Sequence, residues 1–160
     1  MTFQLNGEQS LIILTQYGSA MALNTTFWFW TVKGWMFEFA TELFNATQAP
    51  YVVSMSWGWP EDDQCKIIGC KNSWHPLQDS YDYVRKVNVE FMKIGLRGIT
   101  LLASSGDQGA PGDENTDCPG YLSSIFPGAS PWVTSVGATM LIKSSAQKTD
   151  LASLPPICQK

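Results

Sequence analysis

An amphipathic stretch over Ser80–Leu96 lies between two short β-rich runs, Tyr51–Ser56 and Ile99–Ser104. Val84, Val87, Phe91 and Ile94 recur at three- and four-residue spacing, which predicts a helix with one apolar stripe. Asp79 or Ser80 is placed to cap its start and Gly98 to stop it. The run Tyr51–Ser56 is of the kind found in buried parallel strands, and Ile99–Ser104 reads as the next strand.

The same alternation extends outward. A helix is expected over about Glu8–Tyr17, where Ile12 and Ile13 also permit a strand. Another is expected over about Lys33–Phe44, with Trp35, Phe39 and Leu43 recurring every four residues. Trp132–Val136 reads as a third strand, closed by Gly137. Helices alternating with strands define an α/β fold, here part of a doubly wound parallel sheet with flanking helices. Three clear strands are few for a whole domain of that kind, so a fragment is expected. A sheet cut short leaves an unpaired edge and an uncovered apolar face. The isolated 160-residue chain is therefore expected to fold poorly or to aggregate.

Between Gly58 and Asp79 the chain holds Pro60, Pro76 and most of the local charge, and it reads as an insertion loop. After Ile142 the composition turns polar. Residues 146–160, with Pro155 and Pro156, read as a polar tail to a domain over 1–145.

Apolar residues make up 44% of the chain and charged ones 15%, which argues for a buried globular body. A net charge of −4 offers no basic footprint, so nucleic acid is not expected as a partner. The aromatic cluster over 27–39 is interrupted by Lys33 and is too short for a membrane span; it suits core packing or the wall of a substrate groove. Residues 1–8 lack the basic and apolar regions of a signal peptide. Cys65 and Cys70 stand close together while Cys118 and Cys158 are isolated, and four cysteines allow three pairings. Zinc is a poor rival, since the one histidine is distant from a Cys-x4-Cys pair. Sequons at Asn24 and Asn45 add to the case for an extracytoplasmic, secreted or lysosomal, parent protein.

The chemistry is expected around Gly106-Asp107-Gln108-Gly109, which follows a strand ending in small residues. Such a turn puts Asp107 at the carboxyl edge of a parallel sheet, where ligands bind in open α/β folds. Its glycines let a substrate approach the backbone, although the same residues also suit a plain tight turn. His75, the only histidine, sits in the loop-like segment and reads as solvated. Asp107, Asp113, Glu114 and Asp117 cluster in sequence but match no EF-hand spacing, and read as a hydrophilic loop.

Four stretches in order carry a family resemblance: Val52–Gly58, Arg85–Met92, Gly98–Gly109 and Phe126–Gly137. Together they closely resemble the core of the sedolisins, the serine-carboxyl peptidases, over about residues 8–141. The resemblance implies a subtilisin-like fold and cleavage of peptide or protein substrates at acidic pH, as a tripeptidyl-peptidase or an endopeptidase. It implies a catalytic Glu, Asp and Ser, with a further Asp serving the oxyanion, and Asp107 matches that oxyanion residue. An ionised carboxylate would repel a developing oxyanion, so Asp107 helps only when protonated.

The family's Glu and Asp stand four residues apart on one helix, so both project from one face. Matching Glu8 and Leu11 puts Ile12 at the Asp position, whereas matching Gln16 and Tyr17 puts Ser10 and Leu14 at the two acids. The Asp is missing either way, and Glu8 is a candidate base or an exposed carboxylate at a helix start. No Gly-Thr-Ser nucleophile motif occurs in the 160 residues. The calcium site of the family belongs to a later segment, so no cofactor is expected here. The expected function is that of a sedolisin fragment, inactive as this chain. The alternatives are a noncatalytic pseudopeptidase that binds peptides, or a small α/β ligand-binding domain using the Gly106–Gly109 turn.

Overall fold

A computed structural model describes residues 2–3, 16–70, 79–107 and 123–137. The elements run β1 (Thr2–Phe3), α1 (a helix over 16–21), β2 (Phe29–Trp30), α2 (Met36–Asn45), β3 (Val52–Met55) and β4 (Trp59–Pro60). A 3-10 turn (Glu61–Asp63) then leads into α3 (Gln64–Ile68), α4 (Ser80–Leu96), β5 (Thr100–Ser104), β6 (Ile125–Phe126) and β7 (Thr134–Val136). Five strands form one sheet in the order β2-β1-β3-β5-β7, parallel at every pairing. β4 and β6 make a separate antiparallel pair. The α/β class expected from the alternation is what the chain adopts.

The central register pairs Val53 with Leu101 and Met55 with Ala103, and all four side chains are buried. With a side-chain period of two they share one face. Over that face lie Phe39, Ala40 and Leu43 of α2 and Val84, Val87, Phe91 and Ile94 of α4, in a single apolar cluster. Phe91 stacks on Phe126 with ring centroids 5.9 Å apart. Tyr83 is buried too, and its hydroxyl accepts a 3.0 Å hydrogen bond from the Phe37 amide.

α4 has the expected bounds. Asp79 caps it by accepting from the Asp82 amide at 2.9 Å, and Gly98 follows it with φ +79°. α2 starts three residues later than expected, because Gly34 takes φ +139° and the Trp35 amide donates to the Glu38 carboxylate at 3.0 Å. The far end of α2 is held by Arg97, whose guanidinium donates to the carbonyls of Leu43 (3.0 Å), Ala46 (2.9 Å) and Phe44. The last carbonyls of a helix lack the usual intrahelical donors, so a cation there answers both their lone pairs and the helix dipole.

Two expectations are corrected. β3 is not buried throughout: Val52 is 49% exposed and Ser54 half-buried, and on the same face of β5 Thr100 and Ser104 are exposed and Leu102 half-buried. Nor is 58–79 simply a loop, since residues 59–68 carry β4, the 3-10 turn and α3, followed by a Cys65–Cys70 disulfide. The charge that suggested a loop belongs to Glu61, Asp62 and Asp63, which form the turn leading into α3, where negative charge suits the helix dipole. Gln64 is fully buried, and its carboxamide is consumed by Trp35 Nε1 (2.6 Å) and the carbonyls of Trp59 and Pro60 (both 3.0 Å). Of the helix expected over Glu8–Tyr17, only the end falls within the described residues, and it continues to 21.

Candidate functional site

β3 and β5 are parallel neighbours, so their carboxyl ends open on the same edge of the sheet. There the chain leaves β5 through Ser105, Gly106 and Asp107, and leaves β3 through Ser56, Trp57 and Gly58. Gly106 takes φ +95°, a conformation costly for any residue with a Cβ, and the turn presents Asp107 exposed. The Ser105 amide donates to the Val136 carbonyl at 3.0 Å, tying the start of this turn to the end of β7.

Ile125 fixes the spacing between the two exits. A Cβ placed on Gly58 would lie 2.6 Å from its Cγ2 and 2.7 Å from the Phe126 carbonyl oxygen. One placed on Gly106 would lie 3.0 Å from its Cγ1. Both glycines are thus needed for the same side chain to sit between them. The antiparallel pairing of Trp59 with Phe126 and Pro60 with Ile125 brings Ile125 to that place. Behind it, the Ser130 hydroxyl donates to Asn88 Oδ1 at 2.6 Å and anchors the Phe126–Ser130 segment to α4. The peptide bond between Phe126 and Pro127 is cis.

Beside the β3 exit lies a cleft of about 510 Å³ lined by Gly34, Trp35, Glu38, Trp57, Trp59, Ile67 and Ile68. Three indoles and two isoleucines supply most of its apolar lining, with one carboxylate on its wall. Trp35 is held in place through its bond to Gln64, while Trp57 remains 38% exposed. The indole N–H of Trp59 is buried without a hydrogen-bond partner among the described residues. Such a surface suits the apolar and aromatic side chains of an extended peptide.

The aromatic cluster over 27–39 divides. Trp35 and Phe39 are core residues, whereas Phe27 and Phe29 are 37% and 45% exposed. Trp59, Ile67 and Ile68 were hidden by the loop reading of their segment, although the apolar pair Ile67-Ile68 within a polar stretch was a signal that it folds back on the body. Glu8, Ser10, Leu11, Ile12 and Leu14 lie outside the described residues, as do Gln108, Gly109, His75, Asp113, Glu114, Asp117, Cys118 and Cys158. Of the proposed site residues, only Asp107 is therefore placed. Among the described residues no three His, Cys, Asp or Glu side chains gather to hold a metal. No helix among them is long and apolar enough to cross a membrane.

No family model matches the chain. It is 56% identical over 147 residues to physarolisin of Physarum polycephalum, covering 90% of this chain. It is 32% identical over 117 residues to kumamolisin of Bacillus sp. (strain MN-32), covering 73% of this chain. It is 36% identical over 97 residues to tripeptidyl-peptidase 1 of Homo sapiens, covering 61% of this chain. The chain belongs to the sedolisin family. It spans 25%, 18% and 14% of the length of those three relatives, respectively.

Proposed function

We propose that this chain is a segment, over 1–145, of a subtilisin-like sedolisin domain that in its intact form hydrolyses peptide bonds at acidic pH. The observation that carries this reading is the Gly106-Asp107 turn at the carboxyl end of β5, wedged against Ile125 and exposed to an approaching substrate. Asp107 acts as the oxyanion residue. Protonated, its carboxyl donates a hydrogen bond to the oxygen that gains charge as the scissile carbonyl becomes tetrahedral; ionised, it repels that oxygen. The role of Glu8 as base rests on the resemblance alone.

The 160 residues contain no Gly-Thr-Ser motif and, in neither register, an Asp four residues after the candidate Glu. We therefore infer that this chain does not turn over substrate by itself. An extracytoplasmic location is supported by the Cys65–Cys70 disulfide, a bond that persists in oxidising compartments.

The test begins with the full-length transcript, to express the longer protein with Asp107→Ala and Asp107→Asn beside the wild type. Loss of one oxyanion donor should lower kcat by roughly 10²–10³-fold in the alanine variant. The asparagine variant, which donates at any pH, should recover part of that loss and respond less to pH. An alanine variant with unchanged kcat would sink the assignment.

A second reading, noncatalytic peptide binding, is favoured by the tryptophan-lined cleft. If it holds, an aromatic-rich peptide will quench the chain's tryptophan fluorescence saturably, and Trp57→Ala will remove the response. Unchanged fluorescence rejects it.

A further inference from the structure

We propose that the loop closed by the Cys65–Cys70 disulfide is the selectivity wall of the tryptophan-lined cleft. Ile67 and Ile68 on that loop decide which side chain of a peptide the cleft accepts, and oxidation of the bridge puts them in place. The proposal rests on the peptide-binding reading of the cleft, and adds to it the discriminating residues and the condition that sets them.

The lining divides by how it is held. Trp35 and Glu38 belong to the head of α2, Trp57 leaves β3, and Trp59 sits in β4, paired with Phe126. Trp35 is part of the apolar core cluster and Trp59 packs against it. Ile67 and Ile68 are the two lining residues that α3 contributes. Ile68 packs against the core, whereas Ile67 is 41% exposed. A half-open isoleucine on a cleft wall gains by burial against an apolar group of a ligand and offers nothing to a polar one.

α3 is five residues long, too short for its own hydrogen bonds to hold it as a helix. Its front is anchored, since Gln64 is fully buried and the Cys65 amide donates to the Ser80 hydroxyl at 3.0 Å, at the start of α4. Its rear turns at Gly69, with φ +63°, and the Gly69 amide donates to the Cys65 carbonyl at 2.9 Å. The bridge then ties Cys70 to Cys65 and fixes the isoleucines between two held points. Cys70 is itself buried, its sulfur 3.9 Å from the carbonyl oxygen of Asp79, the cap of α4. Without the bridge the loop regains conformations in which Ile67 leaves the wall.

Closing the bridge joins the two sulfurs and releases two protons and two electrons. A disulfide of the surroundings takes them and becomes two thiols. In the reverse direction a dithiol attacks the sulfur of Cys65, which is half-buried, and Cys70 leaves as the thiolate. The second thiol of the reagent then releases Cys65. The cleft thus discriminates only in a chain that has met oxidising conditions.

The test uses the longer protein that contains this chain, at neutral pH, away from the acidic range of turnover proposed above. Two acetylated pentapeptide amides serve as probes, each with one central residue, Phe or Ala, among four glycines. Titration calorimetry of wild type should show tighter binding of the Phe peptide by roughly tenfold or more. Ile67→Ala should lower that preference, Ile67→Ala with Ile68→Ala should remove most of it, and Cys65→Ser with Cys70→Ser should match the double isoleucine variant. Amide exchange controls for folding: α4 stays protected in every variant, while residues 66–69 exchange faster in the cysteine variant. If wild type binds neither peptide, the cleft reading and this proposal fall together. If it binds them without preference, or the preference survives in either double variant, the cleft reading stands and the proposal alone is overturned. Unchanged exchange at 66–69 in the cysteine variant overturns it as well.

Discussion

On one face of the sheet Val53, Met55, Leu101 and Ala103 lie beneath α2 and α4, each with 3% exposure or less. On the other face of the same two strands Val52, Thr100 and Ser104 are exposed, and Ser54 and Leu102 only half-buried. The composition reflects the difference, since the covered face is wholly apolar while the open one mixes two aliphatic residues with three hydroxyls. Stability is therefore concentrated in one layer, and the carboxyl edge bearing Asp107 borrows its rigidity from that layer through Ile125 and Ser130. Substitutions should sort by side of the sheet more strongly than by residue type.

The largest effect is expected at Phe91, which is fully buried and stacked on Phe126. Phe91→Ala should cost about 3–5 kcal/mol, enough to abolish a cooperative transition in a marginal domain; denaturant unfolding reads it directly. If Phe91→Ala unfolds at the wild-type midpoint, the one-sided core is wrong.

Next comes Gln64→Leu, which keeps the volume but orphans the Trp35 indole N–H and two carbonyls. A loss of about 1–3 kcal/mol and a shifted tryptophan emission are expected. An unchanged emission would mean that Gln64 does not hold the cleft wall.

Tyr83 sharpens the comparison through pH. Burial pushes its hydroxyl pKa far up, so the folded chain keeps the proton where the unfolded chain, near pH 10, loses it. Its contribution is thus fully present below about pH 10 and declines above it by about 1.4 kcal/mol per pH unit. Stability measured from pH 8 to 11 should fall more steeply in wild type than in Tyr83→Phe, and parallel curves would place Tyr83 in solvent.

Val52→Ser, on the open face, should change stability by no more than about 0.5 kcal/mol. A loss as large as that at Phe91 would show that both faces carry the core.

Much of the covered layer was legible beforehand. The three-and-four spacing of Val84, Val87, Phe91 and Ile94 and the cap at Asp79 correspond to α4 residue for residue, because periodicity and capping are local signals. Trp35, Phe39 and Leu43 likewise marked the buried stripe of α2. The short strands β1, β2, β4 and β6 were invisible, since two residues carry no period. The segment 59–70 was misjudged because its order depends on Gln64, a polar residue whose burial is justified only by partners brought together in the fold. The motif around Asp107 marked the carboxyl edge of β5, and the geometry adds Ile125, an ordinary aliphatic residue whose place between the two strand exits exists only because Gly58 and Gly106 converge on it.

The pairing of β4 with β6 joins stretches of chain that are far apart in sequence, whereas α2, β3, α4 and β5 follow one another closely. Closing a long loop has to be met by contacts that reward it, and two residue pairs reward it little. In time, then, the helices and central strands are expected to assemble first, and the small ribbon to close last and open most often. Amide exchange at Glu61, which donates to the Ser124 carbonyl at the end of that ribbon, should be fast against that of α4. The wedge that spaces the aspartate turn is thus set by the most reversible step in the folding of the chain.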